Sequence, residues 1–133
     1  MWLTTWLLPA FAFAMPASRA VAFCLALIGF VAGVSGVVSF RRAATTVNPL
    51  RPETASSLVV SGIYRFTRNP MYLGLLVVLL GWAVFLSSAV AFVWLPAFVV
   101  YMNRFQIGPE ETALASLFGP EFTNYRMKVR RWL

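Results

Sequence analysis

The chain has 133 residues, of which 60% are hydrophobic and only 11% charged, with a net charge of +7. A single domain of this size cannot hide that much apolar surface from water, so an ordinary soluble domain is excluded and lipid is expected to solvate part of it. The arginines flank apolar runs and no groove-reading motif accompanies them, which favours orientation at an anionic membrane surface over nucleic acid as a partner.

Trp2 to Met15 is apolar, interrupted by Pro9 and closed by Pro16. It is short for a span, since the hydrocarbon core needs roughly 20 helical residues. A short or tilted first helix is expected. A cleaved signal peptide is the competing reading, and the missing positive n-region argues against it. Ala20 to Phe40 is predicted to span, bounded by Arg19 and by Arg41 and Arg42. Ala22, Ala26, Gly29, Gly33 and Gly36 recur along it at spacings of three and four. Such a face of small residues lets helix backbones approach closely in lipid, either within the chain or in a homodimer through Gly29 and Gly33. Cys24 lies in this run, and as a lone cysteine it excludes an internal disulfide.

Residues 41–68 read as a polar loop, with Arg41, Arg42, Arg51, Arg65 and Arg68 against the single Glu53. Pro49 and Pro52 forbid a continuous helix there. Met71 to Leu86 and Ala89 to Met102 then form two apolar runs separated by Ser87–Ser88, the pattern of a tight helical hairpin; Pro96 is expected to kink the second. In the tail, Pro109 suits a first helical position, with Glu110 and Glu111 where the helix dipole favours negative charge. Gly119–Pro120 should stop that helix. Glu121 to Val129 reads as a second short helix with Phe122, Tyr125 and Val129 on one side, amid Arg126, Lys128, Arg130 and Arg131, suited to an anionic interface.

The expected fold is therefore all-α and integral to a membrane, with about four transmembrane helices. Residues 1–40 form two N-terminal helices, 41–68 a cytoplasmic loop, 69–107 a helical hairpin and 108–133 a cytoplasmic tail. Both basic segments fall on one side, which the positive-inside rule makes the cytoplasmic face of an inner or plasma membrane. The loop and tail enter and leave one hairpin, so they are neighbours. Together with the short C-terminal helices they should form one pocket.

Gly62 to Gly74 concentrates the chemistry: G-I-Y-R-F-T-R-N-P-M-Y-L-G. Asn69–Pro70 is a helix start whose free amides can hold an anion. Glu110 and Glu111 offer negative charge for an ammonium or sulfonium, and Tyr64 and Tyr72 offer aromatic faces for a base or a cation. With no histidine in the chain, the usual general base and the commonest metal ligand are both missing, so no metal site is expected.

The run G-x-Y-x-x-x-R-N-P-M-Y-x-G resembles the signature of the isoprenylcysteine carboxyl methyltransferase and phospholipid methyltransferase superfamily. A second block, E-E-x-x-L-x-x-x-F-G-x-x-[FY]-x-x-Y, matches Glu110 to Tyr125. The resemblance covers roughly residues 45–133. It implies an integral-membrane enzyme that uses S-adenosylmethionine in a cytoplasm-facing pocket, with a passage to the bilayer for a lipophilic methyl acceptor such as an isoprenylcysteine carboxylate, a phospholipid amine or a thiol. It places Tyr64, Asn69, Pro70, Met71 and Tyr72 around the cofactor, with Leu58, Val59 and Val60 on the adenosine and Glu110 on the methionyl amino group. Arg68, Asn69, Tyr72 and Glu111 are the candidates for catalysis. Asn69 stands where the isoprenylcysteine enzymes carry histidine, and Gln106 where they carry a substrate-contacting arginine, with Arg104 the nearest substitute. Both departures weaken the transfer of the prenylcysteine substrate. The alternatives are a membrane module that packs helices without catalysis and a small dimeric transporter. The latter needs an ionisable group within the membrane, and the apolar runs hold none before Arg104.

Overall fold

The computed structural model describes residues 1–44 and 56–133. Arg51, Glu53, Pro49 and Pro52 of the expected loop lie outside the described residues. Among these residues the structure is helical: α1 (Trp2–Leu7), a 3-10 turn (Pro9–Phe11), α2 (Ser18–Arg42), a second 3-10 turn (Gly62–Arg65), α3 (Pro70–Leu86), α4 (Ala89–Tyr101), a π-helical turn (Met102–Ile107) and α5 (Gly108–Lys128).

The first helix is short, one of the two forms expected of it. Pro9 has no amide proton and its ring crowds the carbonyl four residues back, so α1 stops after 6 residues. The chain then lies across the far end of the hairpin: Phe13 N–H donates to Ser87 O at 2.9 Å, and Trp94 Nε1 donates to Thr4 Oγ1 at 3.2 Å. Two helical runs are long and apolar enough to cross a membrane, Ser18–Arg42 and the continuous run Ala89–Lys128, while Pro70–Leu86 is a shorter apolar helix. The apolar part of Ala89–Lys128 ends at Met102, ahead of Asn103 and Arg104.

The hairpin turns where expected, with Ser87 in the left-handed region (φ 47°, ψ 46°) and Ser88 buried behind it. α2 and α3 make the largest helix–helix contact in the molecule, and glycines set its closeness. A methyl group on Gly29 would overlap the Gly74 carbonyl oxygen, and one on Gly74 would overlap the Gly29 carbonyl. One layer along, a methyl on Gly36 would lie 2.8 Å from Met71 Cγ and 3.2 Å from Pro70 Cγ; at the opposite end, one on Gly81 would lie 2.9 Å from Ala22 O. At Gly29 and Gly36 the small-residue face of α2 therefore packs against α3, while a methyl on Gly33 would meet nothing within 4 Å.

α4 runs without a break into the π turn and α5, so Pro109 does not begin a separate helix as expected. The wider π turn absorbs the proline: Gly108 N–H reaches Asn103 O, five residues back. Gly119 (φ 47°, ψ −119°) then breaks α5 into two arms, as the Gly119–Pro120 step requires. Phe122 and Val129 are buried. The apolar side of the second arm faces the protein, where an interfacial helix would turn it to lipid.

Gly29→Ala and Gly74→Ala should each destabilise the fold by about 1–3 kcal/mol, the usual range for overpacking. Gly33→Ala should leave stability unchanged or raise it, because a methyl at Gly33 meets nothing within 4 Å. Thermal unfolding of detergent-solubilised variants measures the difference.

Candidate active site

The C-terminal end of α2, the Gly62–Arg65 turn, the first turn of α3, the π turn and α5 converge at one end of the bundle. Gly62 makes the entry possible. Its φ of +61° is left-handed, and an added Cβ would sit 2.8 Å from Ser39 Oγ, so only glycine brings the turn this close to α2. Tyr64 follows, buried, with its ring edge-on to Phe40 at a centroid distance of 5.4 Å. Tyr125 Oη donates to the Tyr64 carbonyl at 2.7 Å, tying the second arm of α5 to this turn.

Two halves of a site result, divided by the helical rotation between adjacent residues. Glu110 faces the tyrosines: Tyr72 Oη donates to Glu110 Oε2 at 3.2 Å. Gln106 is within hydrogen-bonding reach of the same hydroxyl. Burial pushes the Glu110 carboxyl up to about 6, opposed by the Tyr72 hydrogen bond and assisted by the neighbouring Glu111 charge. Burial also raises the Tyr64 phenol, with Glu110, Tyr125 and Tyr72 adding to the effect. This half is a buried carboxylate among neutral phenols and aromatic faces, a setting that favours a cationic guest.

Glu111 faces the arginines. Arg131 grips it with both edges of its fork, Nε to Oε1 at 3.1 Å and Nη2 to Oε2 at 2.6 Å, and Arg68 Nη1 lies 2.8 Å from Oε1. Arg131 Nη1 and Trp132 Nε1 donate to Asn103 Oδ1 at 3.3 and 3.2 Å. Arg68 is almost enclosed; burial lowers its pKa and the Glu111 carboxylate opposes that. Among the described residues its buried Nε has no hydrogen-bond partner, an arrangement uncommon in native structures.

The expected residues are largely brought together, though not all in the expected roles. Tyr64, Tyr72, Glu110 and Gln106 form the cation-friendly half, and Arg68 and Glu111 the other. Asn69 begins α3 but makes no side-chain cap. Its Nδ2 donates to Arg131 O at 2.9 Å, while Thr67 Oγ1 donates to the same carbonyl at 3.3 Å and Arg68 N–H to Arg130 O at 3.0 Å. The amide thus fastens the tail to the motif. Both Glu111 oxygens are engaged by guanidinium groups, Oε1 by Arg68 and Arg131 and Oε2 by Arg131. Pro70 is fully buried, and Pro70 and Met71 pack on Gly36. Val59 is buried, Leu58 half-buried and Val60 exposed, as is Arg104. The sequence reading missed Asn103, Thr67 and the inward grip of Arg131 and Trp132. A lone amide at the end of an apolar run was the available signal for Asn103.

The phospholipid methyltransferase family model matches residues 17–121. An uncharacterized protein of Haemophilus influenzae is 48% identical over 63 residues, covering 47% of this chain and the whole of that protein. A protein of Oryza sativa subsp. japonica named "Probable protein-S-isoprenylcysteine O-methyltransferase" is 33% identical over 116 residues, 85% of this chain and 59% of its own length. Protein-S-isoprenylcysteine O-methyltransferase B of Arabidopsis thaliana is 28% identical over 106 residues, 77% of this chain and 52% of its own length. The chain thus spans little more than half the length of these two plant relatives. No solved structure matches it.

Because the folded pKa of Glu110 lies above the ordinary 4.5, the folded state holds a proton there that the unfolded state has already lost. Its contribution to stability is most favourable below pH 4.5 and declines as pH rises through about 6. Unfolding midpoints from pH 4 to 8 should show that decline, and Glu110→Gln should remove it.

Proposed function

The chain belongs to the phospholipid methyltransferase family, and from that premise we propose an S-adenosylmethionine-dependent methyltransferase that acts on a lipophilic acceptor at a membrane surface. The observation that carries this reading is the division of two adjacent carboxylates, Glu110 toward Tyr64 and Tyr72 and Glu111 toward Arg68 and Arg131.

The chain's own groups fit the cofactor's amino-acid end. Among the described residues Glu110 is the only carboxylate on the aromatic side, and it suits the ammonium. The buried Arg68 Nε lacks an acceptor and suits a carboxylate. Tyr64 and Tyr72 supply faces for the sulfonium or the purine. When bound, S-adenosylmethionine supplies a methyl group already activated on positive sulfur. The residues then need only to orient the partners and exclude water, which can lower a barrier by roughly 7–11 kcal/mol. A carboxylate or thiolate acceptor attacks without a base. For an amine acceptor, the Tyr72–Glu110 pair is better placed than Glu111 to take the proton.

A lipophilic acceptor is supported by a groove of about 440 Å³ along α2. Phe30, Val31, Val34 and Val38 line it, and Arg42 and Ile63 stand at its polar end. From Phe30 to Arg42 it follows about 18 Å of helix, ending at the turn that carries Tyr64. The basic residues Arg41, Arg42, Arg65, Arg68, Arg126 and Lys128 gather at this same end, which supports a cytoplasm-facing site in an inner or plasma membrane.

Calorimetric titration with S-adenosylhomocysteine in detergent and in nanodiscs tests the reading. Micromolar binding is expected, weakened at least about tenfold in Glu110→Gln and Arg68→Met, in line with the loss of a charge-assisted hydrogen bond. Affinity should fall as pH drops through about 6 and Glu110 takes up its proton. Folded wild-type protein that binds nothing in either medium would overturn the proposal.

A further inference from the structure

Glu110 and Glu111 are neighbours on one helix, about 100° apart in rotation. Either could in principle face the tyrosines, and a rotation of the helix by about 100° would exchange them. What holds the observed rotation lies mainly outside the residues that the family match covers, since that match ends at residue 121. Arg131 occupies both oxygens of Glu111 and reaches Asn103 with its remaining nitrogen. Asn103 sits in the π turn, where helical geometry is least self-determined. Trp132 donates to the same Asn103 oxygen. The backbone that carries Arg131 is itself fastened to the motif by Thr67, Arg68 and Asn69. One side chain therefore bridges the π turn to the first turn of α5, and its backbone is anchored to the start of α3.

We propose that Arg131 is a positioning residue: by bridging Glu111 to Asn103 it sets the rotation of α5, so that Glu110 alone is presented to the methionyl ammonium between Tyr64 and Tyr72. The inference rests on the cofactor reading above. Arg131 touches no reacting atom in it. Its effect is confined to the amino-acid end of the cofactor, because the groups that face Glu110 are Tyr72 from α3, Tyr64 from the 3-10 turn and Glu111 from its own helix. The charges around Glu111 are Arg68 and Arg131, with Arg126 close to Arg68.

Two ligands separate positioning from a general structural role. S-adenosylhomocysteine carries the amino acid, and 5′-methylthioadenosine keeps the adenosine and thioether without it. In Arg131→Met, affinity for S-adenosylhomocysteine should fall about tenfold or more, the scale of one charge-assisted contact, while affinity for 5′-methylthioadenosine stays within about twofold, too little for the loss of such a contact. Arg131→Lys keeps the charge without the fork and should recover only part of the loss. Asn103→Ala leaves the Glu111 bonds in place and should show the same ligand selectivity in weaker form. Combined with Glu110→Gln, Arg131→Met should add little further loss, because the two act on one contact. Equal weakening of both ligands, or no weakening of either, in folded Arg131→Met and Asn103→Ala protein would overturn the positioning role and leave the cofactor reading standing. If Arg131→Met does not fold, the Arg131→Lys and Asn103→Ala titrations decide by the same criterion. Wild-type protein that binds neither ligand would overturn both.

Discussion

The backbone contact between Gly29 and Gly74 is the constraint from which the rest follows. Between two helices in lipid there is little hydrophobic driving force, so close packing of small residues must do that work. With α2 and α3 in contact at that level, Pro70 and Met71 come to rest on Gly36, and the start of α3 is fixed beside the last turns of α2. Ser39 then leaves room for nothing larger than Gly62. Tyr64 and Tyr72, eight residues apart and on different elements, are placed in one cluster by that single crossing.

The second organising feature is electrostatic. The titratable side chains Tyr64, Tyr72, Tyr125, Arg68, Arg131, Glu110 and Glu111 meet in a small volume with no histidine among them. They sort by sign. The arginines take Glu111, and the phenols take Glu110, whose carboxyl is pushed up to about 6 by burial. A carboxylate set among aromatic rings would favour a cation, and an arginine whose buried Nε has no partner among the described residues would favour an anion. An amino acid carries both, which is why the arrangement suits the methionyl end of the cofactor better than a purely structural ion-pair network.

Much of this was legible in the sequence, and the parts that were not share a cause. The hairpin, its turn at Ser87–Ser88 and the break at Gly119–Pro120 depend on local rules, and the structure has each of them. That the two motif blocks meet follows from their flanking one hairpin. The shortness of the first helix follows from Pro9, a local breaker. The helix start at Pro109 was misplaced because a π turn has no sequence signature of its own. Asn69 looked like a cap and instead holds the tail, and Phe122 and Val129 looked interfacial and are buried. Each of these last roles depends on a partner distant along the chain; Asn69 reaches Arg131, 62 residues away. Periodicity and capping rules do not reach that far.

The central claim is that the cofactor lies between the Gly62–Arg65 turn, the first turn of α3 and Glu110. Ultraviolet crosslinking of methyl-labelled S-adenosylmethionine to the purified protein, followed by peptide mapping, tests it most directly. The account predicts label on the peptides that contain Tyr64 or Tyr72, suppressed by excess S-adenosylhomocysteine and reduced in Glu110→Gln. Label concentrated on α2 or α4 away from these residues, or label that S-adenosylhomocysteine does not suppress, would contradict it.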